Sequence, residues 1–123
     1  MGVRWGFVEM TTQSAVVDTV FRALADPTRR RVLERLSRGP ATVSELAAPF
    51  DMKLPSFVQH MAVLEESQLV RSVKTGRTRV YRIAPRRLRT AESWFDQQRR
   101  MWERRLDQFD AYVTQFHEQE KAK

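Results

Sequence analysis

The sequence predicts a mainly α-helical domain with one small β-hairpin and a long C-terminal helix. Three observations carry this. Short apolar-striped segments, punctuated by Pro27, Gly39-Pro40, Pro49 and Pro55, occupy the stretch up to Gln68. Between Ser67 and Ala91 stand eight basic residues and no acidic one: Arg71, Lys74, Arg77, Arg79, Arg82, Arg86, Arg87 and Arg89. From about Thr90 to Phe116 there is no Gly or Pro, and Phe95, Trp102, Phe109 and Phe116 recur at seven-residue steps.

Taken in order, residues 1–13 show no clear period and read as an N-terminal extension, although Trp5, Phe7 and Val8 are apolar enough to dock. A first helix is expected from Ser14, with Val16, Val17, Val20, Phe21 and Leu24 in one stripe. It stops at Asp26-Pro27, where Asp26 can cap a second helix and Pro27 can take its first position. That helix turns Val32, Leu33 and Leu36 inward and ends at Gly39-Pro40. Arg29, Arg30 and Arg31 lie in its first turns, against the preference of a helix N-terminus for acids, which hints at an anion that offsets them. Thr42-Val-Ser-Glu45 is a capping box opening a short helix through Leu46, Ala47 and Ala48. A turn, Asp51-Met-Lys-Leu54, leads to a further helix from Pro55 to about Gln68.

Leu69 to Ile83 then alternates, in two stretches joined through Thr75-Gly76, and reads as a β-hairpin with cations on one face and apolar residues on the other. Two short helices followed by a basic hairpin describe a winged helix-turn-helix. In the last segment Leu106 and Val113 fall four residues after Trp102 and Phe109, and Trp94, Met101 and Tyr112 widen the stripe. So broad an apolar face exceeds what one small domain buries, and pairing with a second copy is expected through Phe95, Trp102, Leu106, Phe109 and Val113. The expected organisation is therefore an extension (1–13), a winged helix-turn-helix (14–89), and a dimerisation helix with its tail (90–123).

Composition narrows the function. The formal charge of +7 is uneven: residues 1–91 hold 16 Lys+Arg against 8 Asp+Glu, and residues 92–123 hold 6 against 7. A basic body suits a polyanion, and the cationic ribbon makes nucleic acid the obvious one. Cysteine is absent, which excludes disulfides, thiolate metal sites and a nucleophilic thiol. No apolar run approaches the roughly 20 residues needed to span a bilayer, and the N-terminus is too polar for a secretory segment, so a soluble cytoplasmic protein is expected. There is no Ser/His/Asp spacing, no phosphate-cradling glycine loop and no paired-carboxylate motif, so an enzyme is not expected. Nor is a cofactor.

On the helix from Pro55, the residues Phe57, His60, Met61, Leu64 and Gln68 share a core-facing side, leaving Pro55, Val58, Gln59 and Ala62 opposite, with Ser56 at the edge. Gln59 can bind adenine in bidentate fashion, Ser56 can bond a base edge or phosphate, and Val58 and Ala62 can touch thymine methyls. His60, on the apolar edge, is open to packing or to DNA contact. Phosphate contacts are expected from Lys53, from Arg29 and Arg30, and from Lys74, Arg77 and Arg79 of the hairpin.

The stretch Phe21-Arg-Ala-Leu-Ala-Asp-Pro-Thr-Arg-Arg-Arg-Val-Leu33 resembles the opening of ArsR-type winged-helix repressors. So do Val43-Ser-Glu-Leu-Ala47, Leu54-Pro-Ser-Phe-Val-Gln-His-Met61, Val63-Leu-Glu-Glu-Ser-Gln-Leu-Val70 and Thr75-Gly-Arg-Thr-Arg-Val-Tyr-Arg82. The resemblance covers roughly residues 15–84 and implies a homodimeric, operator-binding regulator, usually a repressor. Three positions depart from the family pattern. Val58 and Lys53 stand where serine is frequent, and Gln68 stands where glycine is common, at a cost of about 1 kcal/mol if positive φ is needed there. Metal-sensing members use cysteines near the third helix, or paired histidines and carboxylates on the last. Here the third helix has Leu46, Ala47 and Ala48, and the last has only His117 near Asp110, Glu118 and Glu120, so no metal site is expected.

The expectation is a sequence-specific double-stranded DNA-binding regulator that binds an inverted-repeat operator as a homodimer and represses transcription. Two alternatives stay open: a winged-helix module for an acidic protein or RNA, and a ligand-responsive sensor using a metal without cysteine.

Overall fold

The structure, a computed structural model, describes residues 2–121, with side chains described from Gln13 to Lys121. Its elements are α1 (Gly2–Leu24), α2 (Pro27–Leu36), β1 (Ala41–Thr42), α3 (Val43–Ala47), α4 (Leu54–Glu66), β2 (Val70–Thr75), β3 (Thr78–Ile83) and α5 (Pro85–Lys121). The chain divides into two compact units, one ending at Ala91 and one beginning at Glu92.

The core of the first unit is built from helix faces with a helical period. Val20 and Ala23 of α1, Val32, Leu33 and Leu36 of α2, and Phe57, Met61 and Leu64 of α4 are buried together with Leu46, Leu69, Val70 and Tyr81. The expected stripe of α1 holds in part: Val17 and Val20 are buried, whereas Val16, Phe21 and Leu24 are half-buried. Helix α1 begins at Gly2, earlier than the expected Ser14. The expectation that Trp5, Phe7 and Val8 dock falls outside the residues whose side chains are described.

Local chemistry sets the helix ends. The Asp26 carboxylate accepts from the Arg29 backbone N–H at 3.0 Å, and Pro27 occupies the first turn of α2. In the capping box, Glu45 N–H donates to Thr42 Oγ1 at 3.2 Å and Thr42 N–H to Glu45 Oε1 at 3.4 Å. Helix α4 opens one residue before the expected Pro55 and ends at Glu66, where Gln68 N–H donates to the Glu65 carbonyl and Leu69 N–H to the Leu64 carbonyl, each at 3.0 Å. This is the paired bonding of a Schellman stop, and Gln68 holds its left-handed position at φ 60°. The expected strain at Gln68 is therefore present.

The sheet has three strands in the order β1-β3-β2, one more than the hairpin expected. Strand β1 is two residues long, too short to carry a period, and exists through pairing of Ala41 with Tyr81 and Thr42 with Val80. The hairpin loop is Gly76-Arg77, with Thr75 paired to Thr78, so the turn lies one residue later than Thr75-Gly76. Gly76 takes φ 65°, as a two-residue hairpin with glycine first requires.

The register also corrects the expected division of hairpin faces. Directly paired residues share a face, and the pairs are Val70–Ile83, Ser72–Tyr81 and Lys74–Arg79 on one side, with Arg71–Arg82, Val73–Val80 and Thr75–Thr78 on the other. Each face thus mixes cations with apolar residues. The reason is parity: Arg71 and Lys74 are three apart, so a period of two sends them to opposite sides.

Helix α5 starts at Pro85 rather than near Thr90, because proline fits a first helical turn that has no N–H partner to lose. In the second unit, Trp102 is 49% exposed, and Leu106 and Phe109 are each 62% exposed. Phe95 is also exposed and Val113 is half-buried. Arg99 pairs with Asp96 at 3.4 Å and Glu103 at 4.0 Å along the polar side. No helix among the described residues is long and apolar enough to cross a membrane.

Candidate nucleic-acid interface

Helix α4 has two sides made by one period. Phe57, Met61 and Leu64 are buried, which leaves Pro55, Ser56, Val58, Gln59 and Ala62 exposed on the other side, as expected. Of the other residues expected on the core side, His60 is half-buried, and Gln68 is exposed because the helix stops at Glu66, before the period reaches it. Gln59 is the one long polar side chain centred there. Lys53 is the N-cap residue and makes no side-chain cap, so the positive end of α4 is left without a capping oxygen and carries a lysine as well. Leu54 joins this surface, 57% exposed beside Val58 at 48%. Sequence reasoning left Leu54 in the preceding turn. Its spacing of four from Val58 was the signal that both share one helix face.

The three arginines of α2 go different ways. Arg29 donates from Nε to the Ala23 carbonyl at 2.7 Å and from NH2 to the Arg22 carbonyl at 3.1 Å. Its NH1 lies 3.1 Å from His60 Nδ1. Arg30 NH1 donates to the Leu24 carbonyl at 2.6 Å. Arg31 stacks over the Phe50 ring at 4.7 Å from the centroid. The anion anticipated near these arginines is thus, for Arg29 and Arg30, the carbonyl end of α1, whose partial negative charge meets them across the Asp26 turn. His60 faces inward, its Nδ1 3.7 Å from Asp26 Oδ2 and its side chain 24% exposed. Of the expected DNA contacts, Arg29, Arg30 and His60 have intramolecular partners, while Lys53, Ser56, Val58, Gln59, Lys74 and Arg77 are exposed.

On the hairpin, Lys74 lies directly across from Arg79, and Arg71 across from Arg82. Like charges directly opposite on a sheet repel. For Arg79 part of this is offset: its NH1 donates to Ser72 Oγ at 2.8 Å, and Ser72 Oγ donates in turn to Glu65 Oε1 on α4. The relay ties the ribbon to the end of the helix. Beside it, burial and then the Glu65 carboxylate push the Tyr81 hydroxyl above its ordinary value, with Arg79 pulling the other way. Arg71, Lys74, Arg82 and the turn residue Arg77 remain exposed. Arg71 and Arg82 were not singled out as contacts, although the run of basic residues contained them. Among the described residues no group of three or more His, Cys, Asp or Glu is placed to hold a metal ion.

Comparison with known proteins agrees with this geometry. Residues 24–73 match a family described as a helix-turn-helix domain. The chain is 39% identical over 89 residues to the HTH-type transcriptional regulator Rv2034 of Mycobacterium tuberculosis, an overlap of 72% of this chain and 80% of that protein. It is 28% identical over 78 residues to the transcriptional repressor SdpR of Bacillus subtilis, spanning 63% and 87%. A solved ArsR family transcriptional regulator matches with a TM-score of 0.70 at 52% identity, covering 73% of this chain and 93% of that one. Fold and surface together define a winged helix-turn-helix DNA-binding protein of the transcription-regulator class, not an enzyme. The chain belongs to the ArsR family of transcriptional regulators.

Proposed function

We propose that this chain is a cytoplasmic transcriptional repressor that binds an inverted-repeat operator as a homodimer. Helix α4 carries the proposal: one side is committed to the core, and the other offers Ser56, Val58, Gln59 and Ala62 together behind the uncapped, lysine-bearing N-terminus. That outward set suits insertion into a major groove, with Gln59 reading adenine and Val58 and Ala62 meeting thymine methyls. Lys53, Lys74, Arg77 and Arg79 supply phosphate contacts on either side. Arg29 and His60 fall outside this set because they bind each other and Arg29 also holds the carbonyl end of α1, while Arg30 gives one N–H to the Leu24 carbonyl and stays exposed at the edge of this surface.

The homodimer is supported by the exposed seam of Phe95, Trp102, Leu106 and Phe109, with Val113 beside it. Large aromatics at seven-residue spacing suit pairing with the same seam of a second copy, and two copies are what a two-fold operator requires. Selection of bound sites from random duplexes tests both parts. An inverted repeat with half-sites about one helical turn apart is expected. Recovery of no motif, or equal retention of single strands, would overturn the proposal.

A further inference from the structure

We infer that Arg29 is a positioning residue, fixing the rotation of helix α4 through His60, and is not a phosphate contact. The inference rests on the DNA-binding function of α4. Arg29 and His60 are 31 residues apart in sequence, yet the Arg29 guanidinium joins three helices. Its Nε and NH2 hold the last carbonyls of α1, its backbone N–H is bound to Asp26 at the start of α2, and its NH1 reaches His60 in the middle of α4. Each of the three guanidinium nitrogens thus has a partner within the fold, and two of the five N–H donors are uncommitted. The NH1 bond requires an unprotonated Nδ1 that accepts, and the Asp26 carboxylate stands 3.7 Å from the same atom.

Helix α4 needs such a link because the middle of its seat is otherwise apolar. Phe57, Met61 and Leu64 hold it by burial, which is strong but has no direction of its own. Among the described residues α4 makes two side-chain hydrogen bonds to other elements: Glu65 with Ser72 near its end, and His60 with Arg29 in its middle. His60 is the immediate neighbour of Gln59, so any rotation that breaks the Arg29 bond also swings Gln59. With side chains reaching about 5–6 Å from the helix axis, a 10° rotation moves a side-chain tip by about 1 Å. That is enough to spoil a bidentate contact to a base edge.

The test compares Arg29→Lys, Arg29→Gln, His60→Ala, His60→Asn and the Arg29→Lys/His60→Ala double variant with the wild-type chain. Operator affinity, random-duplex affinity, salt slope and hydrogen exchange of the α4 amides are measured well below each variant's melting temperature. Expected for Arg29→Lys and for His60→Ala is a loss of about tenfold in operator affinity, the order of one charge-assisted hydrogen bond. Random-duplex affinity and salt slope should stay at wild-type values, and exchange at Val58 and Gln59 should quicken. The double variant should lose no more than the single ones. His60→Asn, which can keep an acceptor near the Nδ1 position, should return to within about threefold of wild type. A purely structural role would lower the melting temperature without changing the ratio of operator to random binding. Three results would overturn the inference: a salt slope shallower by about 1 in Arg29→Gln, which removes the charge, marking a phosphate contact; additive losses in the double variant; or unchanged α4 exchange. A wild-type chain that does not prefer its operator would sink the DNA reading and this inference with it, whereas a normal wild type with unaffected variants would sink the inference alone.

Discussion

Lys74→Thr should make the free protein more stable and its complex with DNA weaker. Lys74 lies directly opposite Arg79 in the hairpin register, is exposed, and has no salt bridge among the described residues. For two cationic heads about 6 Å apart in water, the Coulomb repulsion is about 0.7 kcal/mol. Screening at physiological salt, with a Debye length near 8 Å, reduces it to about 0.3 kcal/mol. Threonine also suits a strand better than lysine, so urea unfolding should report a gain of a few tenths to about 1 kcal/mol. On DNA the lost phosphate contact should reduce the salt slope by about 0.9, which at 0.15 M salt corresponds to a loss of about fivefold relative to a 1 M reference. Because Arg79 keeps its bond to Ser72, its own geometry should survive. Urea midpoints and binding titrations from 50 to 200 mM salt, on operator and random duplex alike, are the assays. A destabilised variant, or one with an unchanged salt slope, would refute the view that the ribbon sacrifices stability to hold cations for DNA.

Gln59→Ala should relax base preference at one position per half-site by about 1–3 kcal/mol; equal losses on operator and random duplex would instead mark a backbone contact. Trp102 is half-exposed in the single chain, so Trp102→Ala should weaken self-association far more than it lowers the folding stability of the first unit. Sedimentation at several concentrations checks this, and a wild-type chain that stays monomeric at tens of micromolar, roughly the weak-dimer range, would end the dimer proposal. Gln68→Gly should stabilise by about 1 kcal/mol by relieving the left-handed strain at φ 60°, seen as a higher urea midpoint with an unchanged slope. Tyr81 has a raised folded-state value, so its contribution to stability is complete below the unfolded tyrosine range near pH 10 and is lost as pH rises through the raised value. Tyr81→Phe should therefore flatten the alkaline limb of a stability–pH curve, and parallel curves for the two proteins would contradict that sign.

The sequence by itself determined whatever acts within a turn or two of chain. Asp26 and Pro27 announce α2, Thr42 and Glu45 announce α3, and the apolar period of α4 names both its buried and its exposed side, because caps and periods are written in near neighbours. The seven-residue seam of α5 is legible for the same reason. Tertiary structure decided what depends on partners far away in the chain. Two residues, Ala41 and Thr42, are a strand only because β3 arrives beside them. The cations of the hairpin face both ways because the register, not their abundance, assigns them. Arg29 and His60 read as candidate DNA contacts from the chain alone, and only the fold shows that the end of α1, the start of α2 and the middle of α4 meet at one point, where the Arg29 guanidinium finds two carbonyls and the His60 ring. A charged side chain is satisfied by whatever the fold brings closest, and no local pattern in the chain records which group that will be.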